Sequence, residues 1–225
     1  MATALAITPA ASASTIAWTD WTSATAGNSG TAGGAMNGIT VGYSGETLGL
    51  GSAVVTSEGQ TISPWSIDPT SYIGGTVGNA PPVADNSVAM EGGTTTTETI
   101  TFSSSVTDPV LAIWSLGQTG TPAEFVFTSA DGTPIYEAGG PDGYSGGQPI
   151  SVGGQTVTGY EGSGVIQFDG TYTAITFSTP ESENWYAFTV GEPTPEPSSL
   201  LLLGTGLLGL AFVAFRKAKA SGVTF

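Results

Sequence analysis

Short runs in which apolar and polar residues alternate recur through the first 190 residues. Alternation with a period of two predicts β-strands that bury one face. The runs of this kind are residues 97–103, 124–128, 165–169 and 173–178, with further candidates at 15–21, 39–43, 53–56, 155–158 and 185–190. Residues 110–114 are apolar on both faces, which predicts a central strand.

Turn-forming pairs fall between these runs, and no stretch before residue 190 keeps a helical period of 3.6. The pairs are Asp131-Gly132, Asp142-Gly143, Gly153-Gly154 and Asp169-Gly170. Many short strands joined by glycine-rich turns favour an all-β fold. We therefore predict an antiparallel β-sandwich of jelly-roll kind over residues 14–190.

The pattern changes at residues 200–215, which form an unbroken uncharged run. As a helix this run would be roughly 24 Å long, short but adequate for a bilayer core of roughly 30 Å. Arg216, Lys217 and Lys219 follow it directly. Because basic flanks stay cytoplasmic, we predict a single transmembrane helix, a cytoplasmic tail over residues 216–225 and a domain outside the cytoplasm. A buried helix is the alternative, but it would normally show a polar stripe.

The charged residues are also distributed unevenly along the chain. The chain has no histidine and only the three basic residues of that tail, whereas all 18 acidic residues lie between Asp20 and Glu196. A body without positive charge repels nucleic acid, so we expect no nucleic-acid partner. The chain also has no cysteine, which excludes disulfides and thiol chemistry.

A proline-rich linker over residues 191–199 precedes the apolar run and contains Pro195-Glu196-Pro197. Alternating prolines favour extended polyproline geometry, which a processing enzyme can read. The order of this motif, the apolar run and Arg216-Lys217-Ala218-Lys219 resembles the PEP-CTERM sorting signal of Gram-negative bacteria. The resemblance is confined to about residues 193–219.

The resemblance implies a substrate of an exosortase, a membrane enzyme that would read the motif at Pro195, Glu196 and Pro197. It further implies an exported protein whose N-terminal domain is periplasmic while the C-terminal helix anchors it in the inner membrane. After processing, the protein would reach the outer surface or the extracellular matrix. Bacteria with such proteins typically make exopolysaccharide and biofilm, so exopolysaccharide is an implied partner.

Residues 1–13 are rich in alanine and end in Ala11-Ser12-Ala13, which fits a signal-peptidase site. No positive region precedes this stretch, and its apolar part is short. We interpret it as the remnant of a secretion signal whose true translation start lies upstream, although an ordinary N-terminus is the alternative.

Motifs that suggest catalysis fail on their chemistry. Residues 143–147 match the G-x-S-x-G nucleophile elbow, but the chain has no histidine to serve as the base. Residues 204–209 match G-x-G-x-x-G, but they lie inside the apolar run and not after a strand. Paired carboxylates such as Glu137, Glu161 and Asp169 could hydrolyse glycosides. We expect no enzyme activity and no cofactor, and we keep a carboxylate glycosidase as an alternative.

Two further questions concern cations and tryptophans. A structural calcium ion is compatible with the acidic loops, but no site is assigned, since Asp131, Asp142 and Asp169 each precede glycine and are typical of turns.

Trp114 lies in the doubly apolar run and should be core. Trp65 follows Pro64 in a predicted loop, so a surface role competes with burial there.

The sequence thus favours an exported, non-catalytic surface or matrix protein associated with exopolysaccharide. A sandwich that binds sugar is the sharper version of this hypothesis. Self-assembly into fibres or layers is a further alternative, because threonine-rich strands without lysine permit edge pairing.

Overall fold

The computed structural model of the protein describes residues 13–51, 54–55, 61–66, 68–84, 86–94, 96–141, 147–194 and 199–220, and in the last segment it describes side chains for 204–217. The chain divides into two compact units, Met1–Thr194 and Pro195–Phe225. The prediction for residues 1–13 falls almost wholly outside the described residues.

The first unit is built from antiparallel strands. Within the described residues they are β1 (Ile16–Trp18), β2 (Asp20–Thr25), β3 (Gly27–Met36), β4 (Ile39–Thr47), β5 (Gly49–Gly51), β6 (Val54–Val55), β7 (Thr61–Ile62), β8 (Ser87–Gly92), β9 (Glu98–Thr107), β10 (Val110–Leu116), β11 (Ala123–Phe127), β12 (Ile135–Pro141), β13 (Ser151–Gly153), β14 (Thr156–Gly159), β15 (Gly162–Gln167), β16 (Thr171–Ser178) and β17 (Ser182–Pro193). Two 3₁₀ turns lie at Pro69–Tyr72 and Ser129–Asp131.

These strands form two large sheets and one small hairpin. The first sheet has the order β12-β15-β10-β17-β8-β5, with β1 paired to the end of β17. The second sheet has the order β13-β14-β11-β16-β9-β4-β3-β2, and β6 pairs with β7. The two large sheets pack face to face, so the predicted antiparallel β-sandwich is confirmed.

The inner core lies between the two sheets. It contains large side chains from both of them, including Leu111 and Ile113 of β10, Phe125 of β11 and Phe188 of β17. Aromatic rings meet edge to face around Phe188, with Tyr43 at a centroid distance of 5.4 Å. Alternate residues of each strand supply this core, as the period-two pattern predicts.

An outer cluster covers the opposite face of the first sheet. Because neighbouring residues of a strand point to opposite faces, Val110, Ala112 and Trp114 of β10 face away from the inner core and join this cluster. The cluster also takes Ile16 and Trp18 from β1, with Trp65, Tyr72 and Val77 from the segment before β8. The central strand predicted at residues 110–114 is therefore confirmed, with both of its faces buried.

Trp65 belongs to this cluster and has no exposed surface, so the burial alternative is the correct one. Its ring meets Tyr72 edge to face at a centroid distance of 5.3 Å. Trp114 is only 3% exposed, in agreement with its predicted core position.

Two glycine-containing turns join neighbouring strands of the second sheet. Met36 pairs with Ile39 across a two-residue turn in which Asn37 and Gly38 both have positive φ, 46° and 80°. This is the turn that Asn-Gly favours between two strands, because both residues tolerate the left-handed conformation. The predicted turn at Gly153-Gly154 joins β13 to β14, with Gly154 at a φ of 62°.

The second unit contains one helix, α1 (Ser199–Ala220), which includes the predicted helical residues 200–215. Its described side chains, at residues 204–217, are all exposed. Within the described residues, no helix has both the length and the apolar character needed to cross a membrane. The helix is confirmed, and its insertion into a bilayer stays a prediction.

Candidate functional sites: the sorting segment and the buried carboxylates

The sorting segment begins where the sandwich ends. β17 continues to Pro193, three residues beyond the predicted end of the domain at 190, so residues 191–193 belong to a strand and not to the linker. Thr194 follows, and its backbone N–H donates to the carbonyl of Thr15 at 2.8 Å. Pro195, Glu196 and Pro197 lie outside the described residues.

The basic residues predicted to stop the membrane span lie near the end of α1. Arg216 and Lys217 are consecutive and exposed, and Lys219 belongs to the same helix. Positive side chains near the C-terminus of a helix are favourable because they face the negative end of its dipole. The structure thus places this predicted basic cluster on one helical turn.

Sequence reasoning missed a pair of buried carboxylates in the sandwich. Glu98, at the start of β9, has no exposed surface, and Glu46, near the end of β4, is 4% exposed. Glu98 accepts hydrogen bonds from the Tyr43 hydroxyl and from the Glu46 backbone N–H, both at 2.7 Å and both to Oε2. Glu98 lies on the same face of β9 as the buried Ile100 and Phe102, but an acidic residue type does not by itself predict burial.

The Glu46 carboxylate lies against the end of β8. It accepts the backbone N–H groups of Glu91 and Gly92, each at 3.2 Å to Oε2. Burial raises the pKa of the Glu46 carboxyl and of the Glu98 carboxyl above the usual value, and hydrogen bonds to each carboxylate oppose this rise only in part. Burial and the neighbouring Glu98 also raise the pKa of the Tyr43 hydroxyl.

Gly45 makes this close arrangement possible. Its φ of 153° lies in the region that disfavours other residues, and an added Cβ would fall 1.6 Å from Glu98 Oε2. Glycine therefore lets the backbone of β4 approach the buried carboxylate.

A cavity of about 420 Å³ lies beside the buried pair, lined by Asn28, Gly93, Thr94 and Thr96. The Thr96 hydroxyl donates to Thr94 Oγ1 at 2.6 Å, and Thr94 donates in turn to Glu98 Oε1 at 3.4 Å. The named lining is polar and uncharged, which suits water or a small hydroxylated molecule.

A second acidic group lies on the first sheet, where Glu183 of β17 is near Glu161, the residue before β15. Burial raises the pKa of Glu183 to about 8, and the nearby Glu161 adds to this effect. Glu183 Oε1 is buried without a hydrogen-bond partner. Glu161 accepts the hydroxyl of Ser115 at 2.8 Å, and both of these residues have positive φ, 57° and 55°.

The three carboxylates named for glycoside hydrolysis are not brought together. Glu161 directly precedes β15 and Asp169 follows it, which separates them by roughly 26 Å of extended chain. Glu137 lies in β12, whose register with β15 runs from Ile135↔Gln167 to Pro141↔Gly162, so at least four residues, roughly 13 Å of strand, separate it from each of the other two. Glycosidase pairs need separations of about 5 to 9.5 Å, so these three do not form one.

The aspartates of the predicted turns have local roles. Asp131 is buried and accepts the backbone N–H of Thr176 at 3.1 Å, while Asp169 is exposed and Asp142 lies outside the described residues. Among the described residues, no group of three or more acidic side chains is arranged to hold a metal ion. A structural calcium ion stays a prediction without an assigned site.

Of the two motifs that resemble catalytic signatures, one lies in the described helix and the other lies mostly outside the described residues. Residues 204–209 lie within α1 and follow no strand, so the dinucleotide-binding context is missing. Residues 143–146 of the G-x-S-x-G match lie outside the described residues.

The comparison with known families identifies the C-terminal segment. Residues 193–217 match the PEP-CTERM protein-sorting motif. No curated protein and no solved structure matches the chain. The sorting motif marks an exported protein that is transiently anchored in the membrane and processed by an exosortase.

Proposed function

We propose that this is a non-catalytic protein of the cell surface or extracellular matrix, delivered by its sorting motif and associated with exopolysaccharide or biofilm. The observation that carries the proposal is the match of residues 193–217 to the PEP-CTERM motif directly after a folded sandwich. The helix anchors the protein in the inner membrane, with the sandwich in the periplasm, until an exosortase acts near Glu196. The sandwich then remains at the outer surface of a Gram-negative cell.

The first test is the intact mass and the C-terminal peptide of the protein isolated from its own bacterium. Trypsin has no site before Arg216, so intact-mass or acid-protease analysis is needed. We expect a C-terminus near Glu196 on the surface-exposed fraction. If all molecules retain Phe225, the chain is an ordinary anchored protein and the processing proposal is wrong.

A sugar-binding role is supported by the aromatic pair on the outer face of the first sheet. Trp185 is partly exposed, and its ring lies 4.9 Å from that of the buried Trp114. An aromatic ring held by a second ring is a rigid platform for the apolar face of a sugar. Trp185→Ala should reduce co-sedimentation with purified exopolysaccharide at least threefold, roughly the loss of one stacking contact, while Tyr136→Ala, which removes another exposed aromatic ring, should not.

A carboxylate hydrolase is the second candidate, and one pair of acids favours it. Burial raises the pKa of Glu183, and Glu161 is close enough to contribute to the shift. In general-acid catalysis a carboxyl with a raised pKa donates the proton, while a neighbouring carboxylate stays ionised. Release of reducing ends from extracellular polysaccharide by residues 14–194, abolished by Glu183→Gln, would replace the non-catalytic proposal.

Self-assembly into fibres or layers is the third candidate. β2 (Asp20–Thr25) lies at the end of the strand order in the second sheet and contains neither lysine nor proline. Edges of this kind can accept another strand. Light scattering that rises with protein concentration would support assembly, and a monomer at high concentration would contradict it.

A further inference from the structure

The strand that leads into the sorting motif is held by the first strand of the domain. β1 pairs antiparallel with the end of β17, in the register Ile16↔Pro193, Ala17↔Glu192 and Trp18↔Gly191. Thr15 extends the contact, because its carbonyl accepts both the backbone N–H and the hydroxyl of Thr194 at 2.8 Å. We call residues 15–18 with 191–194 the clasp.

The clasp is the last support of β17 before the motif. The neighbouring strand β10 pairs with β17 only as far as Gly191. Among the described strands, Glu192 and Pro193 therefore pair with β1 alone. If β1 leaves, residues 192–194 lose their backbone partners, while the rest of β17 stays in the sheet.

β1 has only three residues, and its flanking residues are held as well: the Ser14 backbone bonds to Thr76 and Gly78, and the Thr19 N–H donates to the Val190 carbonyl. Ile16 donates its backbone N–H to Asn79 Oδ1 at 2.6 Å, and Asn79 returns a hydrogen bond from Nδ2 to the Ile16 carbonyl at 3.1 Å. The Trp18 indole donates to the Asn79 carbonyl at 3.2 Å. Ile16 and Trp18 are buried in the outer cluster. A strand of three residues with contacts of this kind can open locally without unfolding the sandwich.

Enzymes that recognise an extended peptide commonly bind its backbone N–H and carbonyl groups as an added strand. In the closed clasp, Thr15 and β1 occupy these groups over residues 192–194, and Pro195 follows with no intervening residue. An enzyme acting near Glu196 and β1 thus compete for the same stretch of backbone.

We propose that the clasp controls processing of the sorting motif: β1 must release residues 192–194 before the exosortase can engage the chain ahead of Pro195. This inference rests on the proposed exosortase processing. When opening and closing are fast, cleavage of a locally opened chain follows the equilibrium population of the open form. Changes that open or lock the clasp should therefore change the processing rate in opposite directions.

Gly191→Ala is the variant that opens the clasp. An added Cβ at Gly191 would lie 2.4 Å from Ile16 Cγ2 and 2.8 Å from Trp18 Cε3, both in β1. The matched control is Gly153→Ala, where an added Cβ meets nothing within 4 Å. Neither glycine has a positive φ that alanine would have to adopt. In pulse-chase experiments on the full chain in its own bacterium, we expect Gly191→Ala to raise the initial processing rate roughly tenfold, the effect of one overpacked contact.

A disulfide provides the opposite change and does not depend on the folding of Gly191→Ala. Ala17 and Glu192 are direct partners across the ladder, where Cα separations of about 4.5 to 5.5 Å suit a disulfide. The chain has no other cysteine to compete. The double variant with Ala17→Cys and Glu192→Cys should slow processing at least tenfold, because the disulfide restricts the open form of the clasp. Added reductant should restore the rate, and each single substitution is the control.

Hydrogen exchange on the same proteins checks that the clasp itself has changed. The amide of Thr194 should exchange faster in Gly191→Ala, while the amide of Phe188, which lies in the β10–β17 ladder, should keep its protection. The proposal is overturned if Thr194 loses protection and the rate equals that of Gly153→Ala, or if the disulfide forms and the rate is unchanged. In both cases the wild-type chain is still processed, so the sorting function stands. Complete retention of Phe225 in the wild type would overturn both proposals.

Discussion

The two apolar clusters of the sandwich are similar in residue type and differ in origin. The inner core takes its side chains almost entirely from paired strands of two sheets. The outer cluster combines one face of the first sheet with β1 and with Trp65, Tyr72 and Val77, which lie between the strands. Paired strands lie on both sides of the inner core. The outer cluster has paired strands on one side only, and Trp65, Tyr72 and Val77 cover its other side.

This difference indicates how stability is distributed. Losing an inner-core side chain weakens both sheets together, so the effect should be global. Losing a residue that covers the outer cluster, such as Trp65, should first free the segments that pack against it, among them β1 and the clasp. Regions with few ladder hydrogen bonds open locally at lower free energy than central strands.

The largest expected effect is that of Phe188→Ala. Phe188 is completely buried, and its ring contacts those of Trp21, Tyr43, Phe125 and Phe177. Removing it leaves a cavity shared by both sheets and should lower the free energy of unfolding by about 4 kcal/mol, measured by urea denaturation. Phe188→Leu should cost less because it fills part of the space. A loss under about 1 kcal/mol for the alanine variant would contradict a shared core.

A smaller loss, about 3 kcal/mol, is expected for Trp65→Ala in the outer cluster. Trp65 Nε1 is buried without a hydrogen-bond partner, which offsets part of the favourable burial. Trp65→Phe should for this reason cost no more than about 1.5 kcal/mol. Hydrogen exchange should show faster exchange of the β1 amides in Trp65→Ala than in Phe188→Leu. Equal loss of protection throughout the sandwich would remove the distinction between the clusters.

The buried carboxylates add a pH dependence to the inner core. The pKa values of Glu46 and Glu98 are higher in the folded protein than the ordinary value of 4.5, so the folded state binds protons more tightly. Their stabilising effect is complete below that value and is lost as the pH rises through the folded pKa values. Glu98→Gln should flatten the fall in unfolding free energy as the pH rises above 4.5, measured by urea denaturation at a series of pH values. Asp20→Asn, which removes an exposed carboxylate elsewhere on the sandwich, is the control, and an unchanged slope in Glu98→Gln would contradict the assignment.

The smallest expected effect is that of Glu183→Gln, at the start of β17. Burial raises the pKa of Glu183 from 4.5 to about 8, so this residue also lowers stability as the pH rises from about 4.5 to 8. Glutamine stays neutral, and because solvent partly screens this position, the gain at pH 8 should be at most on the order of 1 kcal/mol. Stability curves measured on both proteins should converge near pH 4.5, and curves that remain parallel would exclude Glu183 as the source.

The sequence predicts the inner core better than the outer cluster for a physical reason. Alternating runs become β9, β11, β15 and β16, because burying one face of a strand imposes a period of two. β3 escapes the pattern, since its sequence GNSGTAGGAM is mostly small residues with little apolar signal. Its turn, Asn37-Gly38, was the one available indication of a hairpin.

Trp65 and Glu46 have no periodic signal, and Glu98 shares the face of Ile100 and Phe102 but is acidic, so its residue type hides its burial. Trp65 lies in a loop whose packing depends on the shape of the sheet below it. Glu46 and Glu98 are polar positions that become buried because Gly45 allows the two strands to approach. The sorting segment is the opposite case, because an enzyme reads it as linear sequence and its motif is therefore visible without the fold.

The hydrogen bonds between Thr15 and Thr194 place the two ends of the sandwich beside each other. A domain with neighbouring ends can be inserted as a module into a loop of another protein, since its entry and exit points are already close. It can also be circularly permuted, with a short linker joining these ends and new termini at the exposed Gly153-Gly154 turn. In such a permutant β1 would be covalently continuous with β17, as two arms of one hairpin.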